Sequence, residues 1–158
     1  MLKLSKQSDY GLLATVFLAR KQGSITAAPD IAAFYALPLP MISKVLKVLH
    51  EGEIIRSHRG VSGGYSFDHD PESVTMGRLL EVLEGPWDLV ECESLDPAGH
   101  AVCRISPKCP SRNFMSGISR TVKQAFDQIT VGDLMRGATP SPVTFSKSSS
   151  AAVKEDFQ

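Results

Sequence analysis

The sequence predicts a mainly α fold: a winged helix-turn-helix domain followed by a long C-terminal dimerisation helix. Three observations carry this expectation. Helix-period segments fill the first 50 residues, the period then breaks into a glycine-rich hairpin over 54–67, and an apolar stripe at helical spacing returns over 113–129.

Taken in order, residues 5–20 read as an amphipathic helix in which Leu12, Leu13, Val16 and Phe17 recur, ended by Gly23. Thr26 stands where a cap of a short second helix belongs, with Pro29 and Asp30 in its first turn. The third helix follows Leu37-Pro38-Leu39-Pro40 and runs to His50. Its Ile42, Val45, Leu46 and Leu49 make an i, i+3, i+4, i+7 stripe that faces a core, and Gly52 closes it in the C′ manner. Ile54 to Arg59 reads as a strand, Gly60-Val61-Ser62-Gly63-Gly64 turns, and Tyr65-Ser66-Phe67 returns. Thr75 caps a fourth helix carrying Met76, Leu79, Leu80 and Leu83, stopped by Gly85-Pro86. Residues 86–110 are broken by Pro97, Gly99, Pro107 and Pro110. From Asn113 to Ile129, Phe114, Ile118, Val122, Ala125, Phe126 and Ile129 form one stripe, and Thr130 caps a short helix from Val131 to Arg136. The division is thus 1–85 for the winged domain, 86–110 for a cysteine-bearing loop, 111–137 for the long helix and its short successor, and 138–158 for a disordered tail rich in Pro, Ser, Thr and Ala.

With 158 residues, 42% apolar and 22% charged, the chain has the make-up of one ordinary globular domain with an appendage. No run approaches 18 apolar residues and the start has no apolar leader core, so no membrane partner and a cytoplasmic location are expected. The zero net charge hides a division: residues 1–70 hold eight Lys and Arg against six acids, and residues 71–110 hold three against seven. Overall charge is therefore silent about nucleic acid, and local placement decides. No nucleophile–base pair, phosphate loop or paired-carboxylate site is visible, so the chain reads as a non-enzyme.

Two constellations carry chemistry. In a winged helix-turn-helix the third helix enters the major groove and the wing reaches an adjacent groove. The stripe on helix three leaves Ser43, Lys44, Lys47 and Val48 opposite the core, where lysines and a hydroxyl meet phosphates and base edges. Pro40 near the helix start leaves backbone N–H groups for a phosphate. Arg59 beside Gly60, ahead of Gly63 and Gly64, suits a guanidinium inserted into a narrow minor groove. The second constellation is Cys92, Cys103 and Cys109, the only cysteines, within one 18-residue stretch. An odd, clustered set fits metal or redox chemistry better than a disulfide framework, and thiolates suit zinc or an iron–sulfur cluster. A fourth ligand is wanting, with His100 inside the loop and Asp9, from a second subunit, as the two candidates. Phe114, Ile118, Val122 and Phe126 would pair with their copies in a homodimer, as a reader of a palindromic duplex requires.

Ser8-Asp9-Tyr10-Gly11-Leu12, the wing from Ser57 to Tyr65, Glu84-Gly85-Pro86 and the three cysteines together resemble the IscR/NsrR family of bacterial winged-helix iron–sulfur regulators. Leu37–Pro40, Arg56–Gly60 and Glu91–Pro110 are most similar to its SUF-operon branch, which regulates iron–sulfur assembly. The resemblance covers about residues 1–136. It implies a dimeric, DNA-binding repressor of iron–sulfur assembly genes with a 2Fe-2S or 4Fe-4S cluster on Cys92, Cys103 and Cys109. Asp9 matches an aspartate that NsrR-type members lend from the partner subunit. The position three after the last cysteine, a histidine ligand in the IscR type, is Arg112, which cannot ligate. A nitric-oxide or redox-sensing repressor of the same family is the alternative. From another class, a small iron–sulfur carrier or electron-transfer protein also accommodates the cysteines.

Overall fold

The computed structural model describes residues 4–60, 62–85, 90, 94–100 and 102–139. Cys92 and the tail from residue 140 lie outside them, and the cysteine loop is described only in part. The elements are α1 (Lys6–Arg20), α2 (Ala28–Phe34), α3 (Leu39–Glu51), β1 (Arg56–His58), β2 (Gly64–Ser66), α4 (Met76–Glu84), α5 (Arg112–Asp127) and α6 (Val131–Arg136), with a short 3-10 turn at Ser106–Lys108.

The α3 stripe lies where its period puts it: Ile42, Val45, Leu46 and Leu49 are fully buried. Each such side chain contributes about 1.5–3 kcal/mol relative to exposure, enough to fix which face of α3 turns outward. Val48, expected on the outer face, is half-buried and packs against the core. The α1 core face also differs from expectation. Gly11, Ala14, Thr15 and Leu18 are buried with Phe17, whereas Leu13 is 37% exposed. Small residues let α4 come close there: a Cβ on Gly11 would stand 2.5 Å from a Leu83 methyl.

Thr26 does not cap α2; Ala27 holds that position, and Thr26 instead pairs with Tyr65 through two 2.9 Å backbone hydrogen bonds. The segment before α2 thereby lies against the β1–β2 hairpin, whose register is Arg56↔Ser66, Ser57↔Tyr65 and His58↔Gly64. Gly52 is the α3 C-cap at an ordinary φ of −84°, and the left-handed residue is Glu53, φ 60°. The turn between α2 and α3 likewise uses a non-glycine, Ala36, at φ 52°.

After α5 the chain returns to the first domain. Thr130 closes a capping box with Asp133, Val131 is fully buried in the main core, and Met76 N–H bonds the Ile129 carbonyl at 2.7 Å. The Thr130 backbone N–H and then Arg136 hold the Asp133 carboxyl down to about 2. Arg136 also pairs with Glu72 across the joint. The segments drawn at 85 and 111 therefore share one core through α6. Between them, α5 packs on α4 and buries only Ser116 and Ser119.

Candidate functional site

The outer face of α3 and the wing form one frame. Leu39, Pro40, Ser43, Lys44, Lys47 and His50 are all exposed along α3. Lys47 has Glu51 at 3.7 Å, an exposed pair one turn on, while Lys44 has no carboxylate partner among the described residues. Pro40 is the second helical residue, and the Met41 N–H is already bonded to the Pro38 carbonyl at 3.0 Å. The helix start thus offers a phosphate the Leu39 N–H, fewer groups than a Pro-led first turn suggests. His50 ties the frame together: its Nδ1 donates to the Ile55 carbonyl at 3.3 Å, and its Nε2 accepts from Ser57 Oγ at 3.0 Å in β1.

Within the wing, His58 Nε2 donates to Ser66 Oγ at 2.8 Å, and that hydroxyl donates to Asp68 at 2.7 Å. Arg56 stands 3.4 Å from the same carboxylate. Arg59 follows β1 and is exposed. The tip glycines have an internal cause. A Cβ on Gly63 would lie 2.7 Å from the His58 carbonyl oxygen, a Cβ on Gly64 would overlap the Thr26 carbonyl, and Gly60 adopts φ +119°. The hairpin itself demands these residues, before any duplex approaches.

Ser8 and Glu84, from two motifs far apart in sequence, meet. Ser8 is fully buried and its hydroxyl donates to the Glu84 carboxylate, which also accepts the Ser5 N–H at 3.0 Å. These hydroxyl and amide donors hold the Glu84 carboxyl below the usual range. Gln7 Nε2 adds a bond to the Leu83 carbonyl at 2.6 Å. The N-terminus of α1 is thereby bolted to the end of α4, where Gly85 at φ +83° launches the cysteine loop.

Asp9 is exposed in the first turn of α1, with no side-chain partner among the described residues. Cys103 and Cys109 are free, half-buried thiols flanking the 3-10 turn. His100 sits on a tight turn in which Asp96 accepts the Ala98 and His100 N–H groups, and its exposed ring is 3.4 Å from the same carboxylate. Among the described residues no three His, Cys, Asp or Glu side chains converge as a ready metal cage. On α5, Phe114 is 70% and Ile118 41% exposed, while Val122 and Phe126 are half-buried. The apolar edge led by Phe114 and Ile118 therefore faces away from its own domain.

Residues 4–137 match the Rrf2 family, described as iron-dependent transcriptional regulators. The chain belongs to the Rrf2 family. It is 27% identical to the transcriptional regulator NsrR of Bacillus subtilis (strain 168) over 136 residues, 85% of this chain and 91% of that protein. The structure of CymR, the global cysteine regulator of B. subtilis, superposes with a TM-score of 0.68 at 30% identity, covering 88% of this chain and all of that one. IscR of T. potens shares the fold, with a TM-score of 0.62 at 21% identity over 92% and 94% of the two chains. The winged-helix expectation holds, and this Rrf2 chain is a DNA-binding transcriptional regulator rather than an enzyme. Among its described residues no helix is long and apolar enough to cross a membrane.

Proposed function

We propose that this Rrf2 chain is a cytoplasmic, homodimeric repressor of iron–sulfur assembly genes whose grip on a palindromic duplex depends on the state of its cysteine loop. The recognition surface is α3, with Ser43, Lys44 and Lys47, together with Arg59 and the Gly60, Gly63 and Gly64 turn of the wing. Phe114, Ile118, Val122 and Phe126 join the two copies. Cys92, Cys103 and Cys109 would hold an iron–sulfur cluster, completed by the partner subunit's Asp9 or by His100. The donor set suits it: Cys103 and Cys109 are free and half-buried, and soft thiolates favour iron–sulfur or zinc. A bound cluster would supply iron-based electron transfer and oxygen-sensitive chemistry beyond what the thiols alone provide.

The observation that carries the reading is the Ser8–Glu84 joint. The loop leaves α4 at this point, Asp9 is the next residue along α1, and α1 packs directly on α3. A change of order in the loop therefore has a short, rigid route to the recognition helix. Likeness to named transcriptional regulators over 85% of the chain favours a regulator over a carrier. The CymR likeness supports a second reading, a regulator that responds through its thiols without iron.

Anaerobic purification followed by iron and sulfide counts, a visible spectrum and duplex titration separates the two. Bound iron, with affinity that changes when it is removed or when Cys103→Ala is made, supports the cluster. A colourless, iron-free protein with thiol-dependent affinity supports the second reading.

A further inference from the structure

The outward face of α3 lacks the arginine, asparagine and glutamine side chains that commonly read purines. No Arg, Asn or Gln occurs anywhere in Leu39–Glu51, and its acidic residue, Glu51, faces Lys47. Forked side chains are thus unavailable to this helix, and hydrogen-bond reading of a purine is left to Lys44 and Lys47, which can bond guanine but do not account for the apolar leading turn. What the helix presents at its leading end is apolar: Leu39 is 42% exposed, flanked by exposed Pro38 and Pro40. Leu39, Ser43 and Lys47 follow one another at i, i+4 and i+8, so the leucine shares an edge with the hydroxyl and the cation. The N-terminal residues of a recognition helix are those that reach base edges, and the apolar group displayed in the major groove is the thymine 5-methyl.

We propose that Leu39, in the first turn of α3, reads thymine 5-methyl groups in the operator half-site. This apolar turn lies on the same exposed helix face as Ser43, Lys44 and Lys47, cations suited to phosphates among them, so its occupant is duplex DNA rather than a protein. The proposal rests on α3 being the recognition helix.

The test selects sites from a random duplex pool with the full-length protein, then replaces each thymine by deoxyuridine, which removes only the methyl group. At one or more thymines per half-site the replacement should weaken the wild type about fourfold, the worth of a methyl leaving water, and leave Leu39→Ala unaffected. Identical deoxyuridine profiles for the two proteins overturn the proposal, as does a Leu39→Ala variant that changes oligomeric state instead of base preference. If Lys44→Ala, too, binds as the wild type does, the recognition-helix reading fails, and the thymine reading with it.

Discussion

Removing the Ser8 hydroxyl tests whether the α1–α4 joint is a real coupling. The hydroxyl is fully buried and donates to a carboxylate, and hydrogen bonds to charged groups contribute about 1.5–3 kcal/mol. Glu84 lies nearer the surface and keeps the Ser5 N–H as a second donor, so Ser8→Ala should cost about 1–2 kcal/mol, near the lower end of that range. Glu84→Gln retains an acceptor but loses the charge, and with it roughly half the strength of each bond, a cost of about 1 kcal/mol. Because the two residues share one bond, the double variant should fall short of the summed costs by about 0.5–1.5 kcal/mol. Urea unfolding of the four proteins at pH 7 reads this directly. The sign with pH is fixed by the lowered Glu84 pKa. The stabilisation belongs to the ionised carboxylate, is complete above the ordinary carboxylate range, and is lost as pH falls through the depressed folded-state value. The gap between wild type and Glu84→Gln should therefore be full at pH 7 and close as pH drops below about 4. Additive single costs at pH 7, or a gap that persists in acid, refute the joint.

Three further outcomes follow from packing and backbone geometry. Val122→Asp places an unpaired charge on the apolar edge of α5, a penalty of several kcal/mol if that edge is covered by a second copy, and sedimentation should show monomers; an unchanged dimer puts the interface elsewhere. Val131→Ala removes two methyl groups from a fully buried site and should cost about 2–3 kcal/mol in the unfolding of the whole winged domain, lowering its Tm by roughly 4–10 °C; a loss confined to local fraying of α6 would contradict the shared core. Ala36→Gly relieves a left-handed alanine in the α2–α3 turn and should stabilise by about 0.5–1 kcal/mol in thermal unfolding, where destabilisation would show the strain to be absent.

Those elements that carry their own period are legible from residues alone. The α3 stripe and the Thr75 and Thr130 caps are local signals that the structure places where the sequence does. The hairpin also forms, but β1 is Arg56–His58 rather than Ile54–Arg59, since Ile54 and Ile55 are buried in the core before it, and β2 starts at Gly64. The differences arise where distant segments bind one another. Thr26 pairs with Tyr65, far along the chain, rather than capping its neighbour, and no local pattern announces that. The core face of α1 is built from Gly11, Ala14 and Thr15 because α4 approaches closely, and small residues leave little hydrophobic signal. Val131 rejoins a core drawn mostly from residues 14–67. At the site, Lys44 and Lys47 are legible as positions off the buried stripe, and Arg59 as the cation beside the wing's glycine turn. Leu39 is not: it stands three before Ile42 and seven before Leu46, so its spacing continues the apolar stripe, and only its exposure in the folded chain marks it. The Ser8–Glu84 hydrogen bond is not, although both residues stand in motifs that mark the family resemblance.

The central claim, that α3 meets the phosphates of a duplex, is tested most directly by the salt dependence of binding. Log affinity against log salt is measured for the wild type and the Lys44→Ala/Lys47→Ala variant on one selected duplex. Each phosphate left without its lysine flattens the slope by about 0.9, so removing both lysines should flatten it by about 1.8 while weakening all sequences alike. A variant whose slope and affinity match those of the wild type would contradict the assignment of α3 to the DNA.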